Sequence, residues 1–443
     1  MKYLKTVLIL AAIAMLSGCS QPSEKPGNGT KSYNFEGQID YDALFTSERL
    51  RIEFILAGDA ESQKAYLGGL YRESEWPGSR NALVDPFGYG EYYFEAFSGD
   101  ELIFSRGFCS LFSEWRTTAE ASQVAKSMTH NVWMPYPKDS IRIVLYERRR
   151  CDNVFQPLLE AVIDPSDKLI NPDAFNDFKV EDYMVNGENA RKVDLLFVAE
   201  GYTEAEMGKF RKDAARFAEY MFTLAPYSER RNDFNIRFLL SSSLESGVDI
   251  PQDGAWKSTV CESNFYTFYI DRYLTISDHS KIAEAVSGAP FDALFIVANS
   301  EKYGGGGIYN SYALGTSDNR RSDPVFIHEF GHSFAGLGDE YFTSEVAYED
   351  YYNLELEPWE PNLTTLVDFE SKWADMLPED AVIPTLPNDS TQIGVLGVFE
   401  GGGYMAKGVY RPYFECRMHN NTSEGFCPVC QRAISRMIDF HIK

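Results

Sequence analysis

Residues 322–341 read S-D-P-V-F-I-H-E-F-G-H-S-F-A-G-L-G-D-E-Y, with an H-E-x-x-H motif at the centre, from His328 to His332. On a helix, side chains four positions apart lie one above the other, so both imidazoles can reach one zinc ion. Glu329 flanks that ion, where its carboxylate can take a proton from a metal-bound water and pass it to a leaving amine. The motif therefore predicts the catalytic helix of a zinc peptidase.

The flanking residues indicate that the motif lies on a short helix. Asp323 is the expected N-cap, and Pro324 suits the first helical position, where a missing backbone N–H costs little. Gly336 is the expected end of the helix, because glycine readily adopts the left-handed conformation there. The competing interpretation is a chance occurrence of a five-residue motif, and this helical context argues against it.

A third protein ligand is needed beyond the helix, since catalytic zinc sites keep the fourth position for water. In the compact H-E-x-x-H-x-x-G-x-x-H pattern, that ligand follows the glycine by three residues. The glycine here is Gly336, and the residue three positions later is Asp339. Glu340 is the competing ligand, and the alternative for both acids is a plain surface position. We therefore predict Glu329 as the catalytic base and three metal ligands, His328, His332 and Asp339.

The composition limits the classes of partner that the protein can bind. The 443-residue chain has 66 Asp and Glu against 41 Lys and Arg, a formal net charge of -25. A surplus of this size repels phosphate groups, which argues against nucleic acid and anionic membrane surfaces as partners. Hydrophobic residues make up 44% of the chain, and the length is sufficient for two domains with separate cores.

Residues 1–19 have the pattern of an export signal, with Lys2 and Lys5 before a short apolar run. The run ends in Leu-Ser-Gly-Cys at Cys19, which resembles the lipobox of bacterial lipoproteins and implies cleavage before Cys19 and lipid attachment to it. Residues 20–34 are polar and read as a flexible tether. We therefore predict an exported bacterial lipoprotein, membrane-anchored through Cys19 at the outer membrane or cell surface. An ordinary secretory signal is the alternative.

Six further cysteines follow Cys19, and an even number in an exported protein permits disulfides. Cys427 and Cys430 form a C-x-x-C, which alone fits a redox motif or half of a zinc knuckle. The chain has no second C-x-x-C and no thioredoxin-like context. We therefore expect a structural disulfide between Cys416 and one member of this pair.

Residues 35–170 are predicted to form an antiparallel β-sandwich. Apolar residues alternate over 50–56 and 141–145, and Ser98-Gly99-Asp100 separates two apolar runs as a hairpin turn would. Frequent aromatic residues and punctuating glycines fit the same architecture. No catalytic group of residues is evident in this part, and His130 is expected to be structural or exposed.

Residues 171–443 are predicted to form a zincin metallopeptidase domain, after a polar connection over 164–187. Its expected elements are a buried strand at 192–199, a capping box at Thr203 and Glu206, an amphipathic helix over 207–224, and strands at 234–240 and 293–298. This order before the motif helix is that of a zinc-peptidase upper subdomain. The predicted fold class is therefore α+β, with the sandwich first and the peptidase domain second.

Four consecutive glycines, Gly304 to Gly307, lie between the last of these strands and the motif helix. Glycine allows a backbone to approach a neighbour closely. The functional interpretation is a sheet edge that lines a peptide cleft and pairs with the substrate main chain. The competing interpretation is a mobile surface loop.

Several separated segments carry a resemblance to a known family, namely 328–341, 400–404, 410–412, 416–418 and 426–430. They resemble the immunoglobulin A-cleaving zinc metallopeptidase family, and residues 76–80 and 136–137 look like its N-terminal domain. The resemblance covers nearly all of the mature chain and implies a metzincin-like fold. It implies His328 and His332 as zinc ligands, Glu329 as the base, and Met418 as the methionine beneath the metal.

Two classes of function follow. The first is a zinc-dependent endopeptidase that hydrolyses extracellular proteins or peptides, such as immunoglobulin, other host or dietary glycoproteins, or peptidoglycan peptides. The second is a surface lipoprotein that binds protein or glycan through a non-catalytic zincin fold. Retention of Glu329 beside both histidines favours the enzyme, because a binding protein has no use for the base. Tyr341 and Tyr404 are candidate donors to the oxyanion formed in hydrolysis.

Overall fold

The computed structural model of the chain describes residues 37, 39–172, 178–342 and 351–443. The predicted signal, the tether and Cys19 lie outside these residues. Among the helices of the described ranges, none combines the length and the apolar composition that a membrane crossing requires.

The first part of the chain forms two antiparallel sheets around one apolar core. Its strands are β1 (Phe45–Gly58), β2 (Gln63–Glu73), β3 (Tyr92–Ser98), β4 (Glu101–Phe108), β5 (Lys126–Pro137), β6 (Ile141–Arg148) and β7 (Phe155–Ile163). Two short helices accompany them, α1 (Tyr41–Leu44) and α2 (Leu111–Trp115). The sheets have the orders β2-β1-β5 and β4-β3-β6-β7. The strand pairings confirm the predicted antiparallel architecture, and alternate side chains of β1, β5 and β6 enter the shared core.

The second part is built on a six-stranded mixed sheet. Its strands are β8 (Val180–Met184), β9 (Val193–Glu200), β10 (Phe234–Leu239), β11 (Ala293–Ala298), β12 (Gly305–Ile308) and β13 (Tyr312–Thr316). They have the order β12-β13-β11-β9-β10-β8, with four parallel central strands and an antiparallel strand at each edge. The remaining elements are α3 (Met207–Met221), α4 (His279–Ala285), α5 (Ser322–Ala335), α6 (Pro428–His441) and the hairpin β14 (Leu396–Gly402) and β15 (Met405–Tyr413).

The apolar central strands were predicted correctly because parallel strands are buried on both faces. The capping box at Thr203 and Glu206 is also present, just before α3. The edge strand β8 was missed, since it lies within the stretch predicted to be a connection. Its residues are half-buried or exposed, so no apolar run marked it.

Helix α5 begins one residue before the predicted N-cap. The Val325 N–H donates to the Arg321 carbonyl at 3.0 Å, which places Asp323 inside the first turn. Asp323 instead forms an ion pair with Arg216, whose Nε lies 2.9 Å from its carboxylate. The predicted end of the helix is confirmed, because Gly336 has a left-handed φ of 65°.

The glycines of β12 allow this strand to lie directly across α5. A Cβ on Gly307 would lie 2.2 Å from the Glu329 carbonyl oxygen, and one on Gly305 would lie 2.9 Å from Glu329 Cγ. Contacts this short exclude any side chain at both positions. The loop interpretation is therefore wrong for Gly305, Gly306 and Gly307, which lie in an edge strand held against the motif helix.

Candidate metal centre

Three donor atoms from two segments meet beside α5. The Nε2 atoms of His328 and His332 are 3.1 Å apart, and Asp339 Oδ1 lies 3.0 Å from the first and 3.2 Å from the second. Tetrahedral coordination at metal–ligand distances of about 2.0–2.1 Å requires donor atoms about 3.3 Å apart. The observed triangle therefore has the size needed to bind one metal ion.

Backbone carbonyls fix which nitrogen of each imidazole is free. His328 Nδ1 lies 3.0 Å from the Arg417 carbonyl oxygen, and His332 Nδ1 lies 2.5 Å from the Leu337 carbonyl oxygen. A carbonyl only accepts, so each Nδ1 donates and each Nε2 of the neutral ring presents a lone pair. Three lone pairs facing one point repel one another unless a cation lies between them.

The charges around Asp339 also indicate that the three ligand atoms bind a cation. Burial alone would raise the pKa of Asp339, but the two imidazoles hold it well below its usual range. Burial opposes protonation of His332, yet the Asp339 carboxylate raises the pKa of His332 to about 9. The cluster thus attracts a positive charge at neutral pH, and its donor set of two imidazoles and one carboxylate suits a divalent transition metal.

The two acids after α5 point to opposite sides. Asp339 faces the histidines, whereas the Glu340 side chain enters a cluster of cysteines, 3.2 Å from Cys430 Sγ. Asp339 Oδ1 is buried and has no hydrogen-bond partner among the described residues. A buried carboxylate oxygen without a donor is costly, and a bound metal would satisfy it.

Tyr404 supports Asp339 from behind, because its hydroxyl donates to Asp339 Oδ2. We expect Tyr404→Phe to weaken metal binding by about 10–100-fold, the usual cost of losing a group that orients a ligand. Competition with a chelator of known affinity measures the change. Tyr183→Phe is the matched control, since Tyr183 donates to the Glu219 carboxylate at 2.9 Å away from the metal centre. Equal affinities of Tyr404→Phe and the wild type would contradict this prediction.

Met418 packs against α5, the helix that carries His328 and His332. A Cβ on Gly331 would lie 3.0 Å from Met418 Sδ, so the glycine within H-E-F-G-H leaves room for this sulfur. Met418 is fully buried, and its carbonyl accepts the Glu340 N–H at 2.8 Å. The structure therefore places Met418 against the helix that carries the two histidines.

A pocket opens over the donor triangle, and the half-buried Glu329 faces it. Burial raises the pKa of Glu329, although both histidines oppose the shift. Tyr341 also lines the pocket and is hydrogen-bonded to Arg272. Because the guanidinium can only donate, Tyr341 retains its own hydroxyl proton for another acceptor.

The first part of the chain supplies one wall of this pocket, which the sequence did not indicate. Glu114 of α2 accepts a hydrogen bond from the Tyr273 hydroxyl and lies near Glu329 and His332. Burial raises the pKa of Glu114 to about 7. No motif marks Glu114, so only the packing of the two parts brings it to the site.

Glu360 forms another buried part of the wall. Tyr352 donates to Glu360 Oε1 at 2.9 Å, and Oε2 has no partner in the described part of the chain. Burial raises the pKa of Glu360 from 4.5 to about 7, with Lys372 opposing and Glu91 assisting the shift. Between about pH 4 and pH 7, Glu360 therefore keeps its proton in the folded chain, whereas an unfolded glutamate, with a pKa of about 4.3, has lost it.

This raised pKa predicts how stability changes with pH. The contribution of protonated Glu360 to the free energy of unfolding is fully present below about pH 4 and is lost as the pH rises towards 7. Glu360→Gln cannot titrate, so its unfolding midpoint should fall less than that of the wild type between about pH 5 and 7. Urea denaturation at several pH values measures both slopes. Parallel slopes would show that Glu360 titrates normally.

The predicted disulfide is wrong. Cys416, Cys427 and Cys430 are free thiols, and the Sγ atoms of Cys416 and Cys430 lie 3.7 Å apart. A disulfide requires about 2.05 Å. Instead, Cys427 is the N-cap of α6, and its Sγ accepts the Cys430 N–H at 3.5 Å.

Comparison with known families agrees with this architecture. Residues 182–394 and 386–438 match the model described as IgA Peptidase M64, and residues 40–158 match the model described as Peptidase M64 N-terminus. A search of curated proteins finds no match. The matched models define a peptidase, and this class implies a metal in the active site. The chain belongs to the IgA peptidase M64 family.

Proposed function

We propose that the protein is a zinc-dependent endopeptidase in which His328, His332 and Asp339 bind the metal and Glu329 is the general base. The single observation that carries this proposal is the convergence of three ligand atoms, at most 3.2 Å apart, beside a pocket that Glu329 faces. Two imidazoles, one carboxylate and an open fourth position form a catalytic zinc set. Bound zinc would lower the pKa of a coordinated water and polarise a carbonyl.

The chain's own groups divide the remaining work. Glu329 takes a proton from the attacking water and delivers it to the nitrogen of the leaving amine. Burial favours the protonated form of Glu329, which makes its carboxylate a better proton acceptor than an exposed one. Tyr341 is placed to donate its free hydroxyl proton to the developing oxyanion. Tyr404 is less suited to that role, since its hydroxyl is bound to Asp339.

The edge strand β12 is the proposed support for the substrate main chain. Its outer edge is already covered at Gly305, where the Leu274 N–H donates to the Gly305 carbonyl at 3.4 Å. Pairing with a bound peptide is therefore confined to the residues after Gly305.

The proposed substrates are extracellular proteins or peptides, including immunoglobulin and other host or dietary glycoproteins. The family description names IgA, and the predicted lipobox supports export of the protein from the cytoplasm. The negative net charge disfavours nucleic acid as a partner.

The proposal is tested by digesting a peptide library and a glycoprotein panel, with metal analysis of the same sample. We expect cleavage, about one zinc at the His328 site, and loss of cleavage with phenanthroline that added zinc restores. The alternative is a binding lipoprotein with a non-catalytic zincin fold. A protein that binds zinc but cuts nothing across both panels would support this alternative.

We further propose that the protein is lipidated at Cys19 and exported. The motivation is the short apolar run that ends in Leu-Ser-Gly-Cys. Cys19→Ala is expected to lose acylation and to move from the membrane fraction to the soluble fraction. Ser20→Ala is the control, because the adjacent change leaves the thiol in place. Unchanged fractionation of Cys19→Ala would reject the lipoprotein proposal.

A further inference from the structure

Four side chains that can bind a metal ion form a second cluster beside the first metal centre. Its members are Glu340, Cys416, Cys427 and Cys430, all at most 2% exposed, with one ligand atom from each within 4.8 Å of the others. The three cysteines are free thiols. The proposed peptidase chemistry uses none of these groups.

The spacing of the cluster matches tetrahedral metal–thiolate geometry. At a Zn–S distance of about 2.3 Å, two sulfurs of one site lie about 3.8 Å apart. Cys416 Sγ and Cys430 Sγ are 3.7 Å apart. Glu340 Oε1 is 3.2 Å from Cys430 Sγ, a few tenths of an ångström below the roughly 3.6 Å of a bound thiolate and carboxylate pair.

Backbone groups around the cluster favour thiolates. The Cys427 N–H donates to Cys416 Sγ at 3.3 Å, and the Cys430 N–H donates to Cys427 Sγ at 3.5 Å. Cys427 and Cys430 also lie at the N-terminus of α6, a 14-residue helix whose dipole stabilises negative charge there. These donors partly neutralise the charge that three thiolates and a carboxylate would bring to one ion.

Glu340 provides the second independent observation. Its Oε2 is buried without a hydrogen-bond partner among the described residues, while Asn362 donates to Oε1 at 2.9 Å. A fully buried carboxylate surrounded by sulfur requires a proton or a cation. A metal ion held by the three sulfurs would supply that cation.

We propose that Glu340, Cys416, Cys427 and Cys430 bind a second metal ion, and that this ion is structural zinc. Thiolate-rich tetrahedral sites select zinc among the common divalent ions, and a site with four protein ligands leaves no position for water. The site joins three segments of the chain: the turn after α5, the turn after β15, and the start of α6.

The same segments hold the first metal centre in place. Glu340 follows the ligand Asp339, and the Glu340 N–H is bound to the Met418 carbonyl at 2.8 Å. Arg417, next to Cys416, accepts the hydrogen bond from His328 Nδ1 at 3.0 Å. The second ion thus acts as a positioning element for both a histidine and a carboxylate of the first.

The experiment separates the two sites with cobalt, which gives a sulfur-to-metal charge-transfer band only when thiolates bind it. The full-length His328→Ala/His332→Ala variant, reduced with a non-chelating phosphine, is titrated with Co²⁺. We expect one equivalent to bind with this band in the near ultraviolet. Adding Cys427→Ser/Cys430→Ser should abolish the band, whereas adding Cys261→Ser, a change at another buried thiol, should preserve it.

Elemental analysis of the wild type should then give two zinc ions per chain, and the His328→Ala/His332→Ala variant should retain one. Absence of the charge-transfer band after Co²⁺ titration of the reduced His328→Ala/His332→Ala variant would show a metal-free hydrogen-bonded cluster and overturn the proposal. A disulfide that joins two of Cys416, Cys427 and Cys430, identified by peptide mapping of the unreduced wild type, would also overturn it. These readouts use no activity, so they stand even if the proposed peptidase function fails.

Discussion

Glu329→Gln is expected to bind metal normally and to lose at least about 10²–10⁴-fold in cleavage rate, because glutamine cannot accept the proton of the attacking water. The change preserves the size of a side chain that is packed against β12, where a Cβ on Gly305 would lie 2.9 Å from Glu329 Cγ. The donor triangle contains no atom of Glu329, so the metal content should not change. Initial rates on one verified peptide, with metal analysis of the same preparation, measure both quantities.

Asp323→Asn is the control for this experiment. It neutralises another acid on α5, but Asp323 faces Arg216 on α3 and does not line the pocket. An ion pair of this exposure contributes at most about 1 kcal/mol, so folding and cleavage should remain close to wild type. Wild-type cleavage by Glu329→Gln would reject Glu329 as the base. Metal loss in Glu329→Gln would instead assign it a ligand role.

Asp339→Ala is expected to lose the metal of the first centre and, with it, cleavage. Loss of a group that hydrogen-bonds to a metal ligand lowers metal affinity by about 10–100-fold, and loss of the ligand itself should lower it further. Two imidazoles would remain, held by the Arg417 and Leu337 carbonyls, but without the carboxylate that closes the triangle. Isothermal titration with Zn²⁺, after selective removal of the metal of the first centre, measures the loss.

Asp213→Ala is the matched control, since Asp213 has the same 6% exposure and also accepts a tyrosine hydroxyl, that of Tyr202 at 2.9 Å. It lies on α3, away from the pocket, so its loss should reduce stability without changing zinc affinity. Full zinc affinity in Asp339→Ala would reject the assignment and leave the third ligand to another group.

The two parts of the chain are joined at the active site rather than merely linked in sequence. The first part contributes Glu114 directly to the pocket, and the Cys109 N–H donates to the Tyr309 carbonyl, just after β12, at 2.9 Å. From the sequence alone, no catalytic group of residues is evident in the first part. Its contact with the edge of the peptidase sheet makes it part of the cleft.

Local patterns in the sequence determined much of this protein. Features that depend on neighbours within a few residues were predicted from the sequence. They are the motif helix α5 with its end at Gly336, the alternation in β1, and the apolar strands β9 and β11. The edge strand β8 was not predicted from the sequence, because a half-exposed strand at a sheet edge needs no apolar pattern.

Only the tertiary structure decided which side each neighbouring residue faces. Asp339 and Glu340 are adjacent acids, yet one turns to the histidines and the other to the cysteines. Cys416 remains a free thiol because its distance to Cys430 is set by the packing of α6, which no spacing rule encodes. Glu114 reaches the pocket by the docking of one sheet system on another. Such long-range placements arise from the packing of whole elements, and a single sequence shows only the order of those elements along the chain.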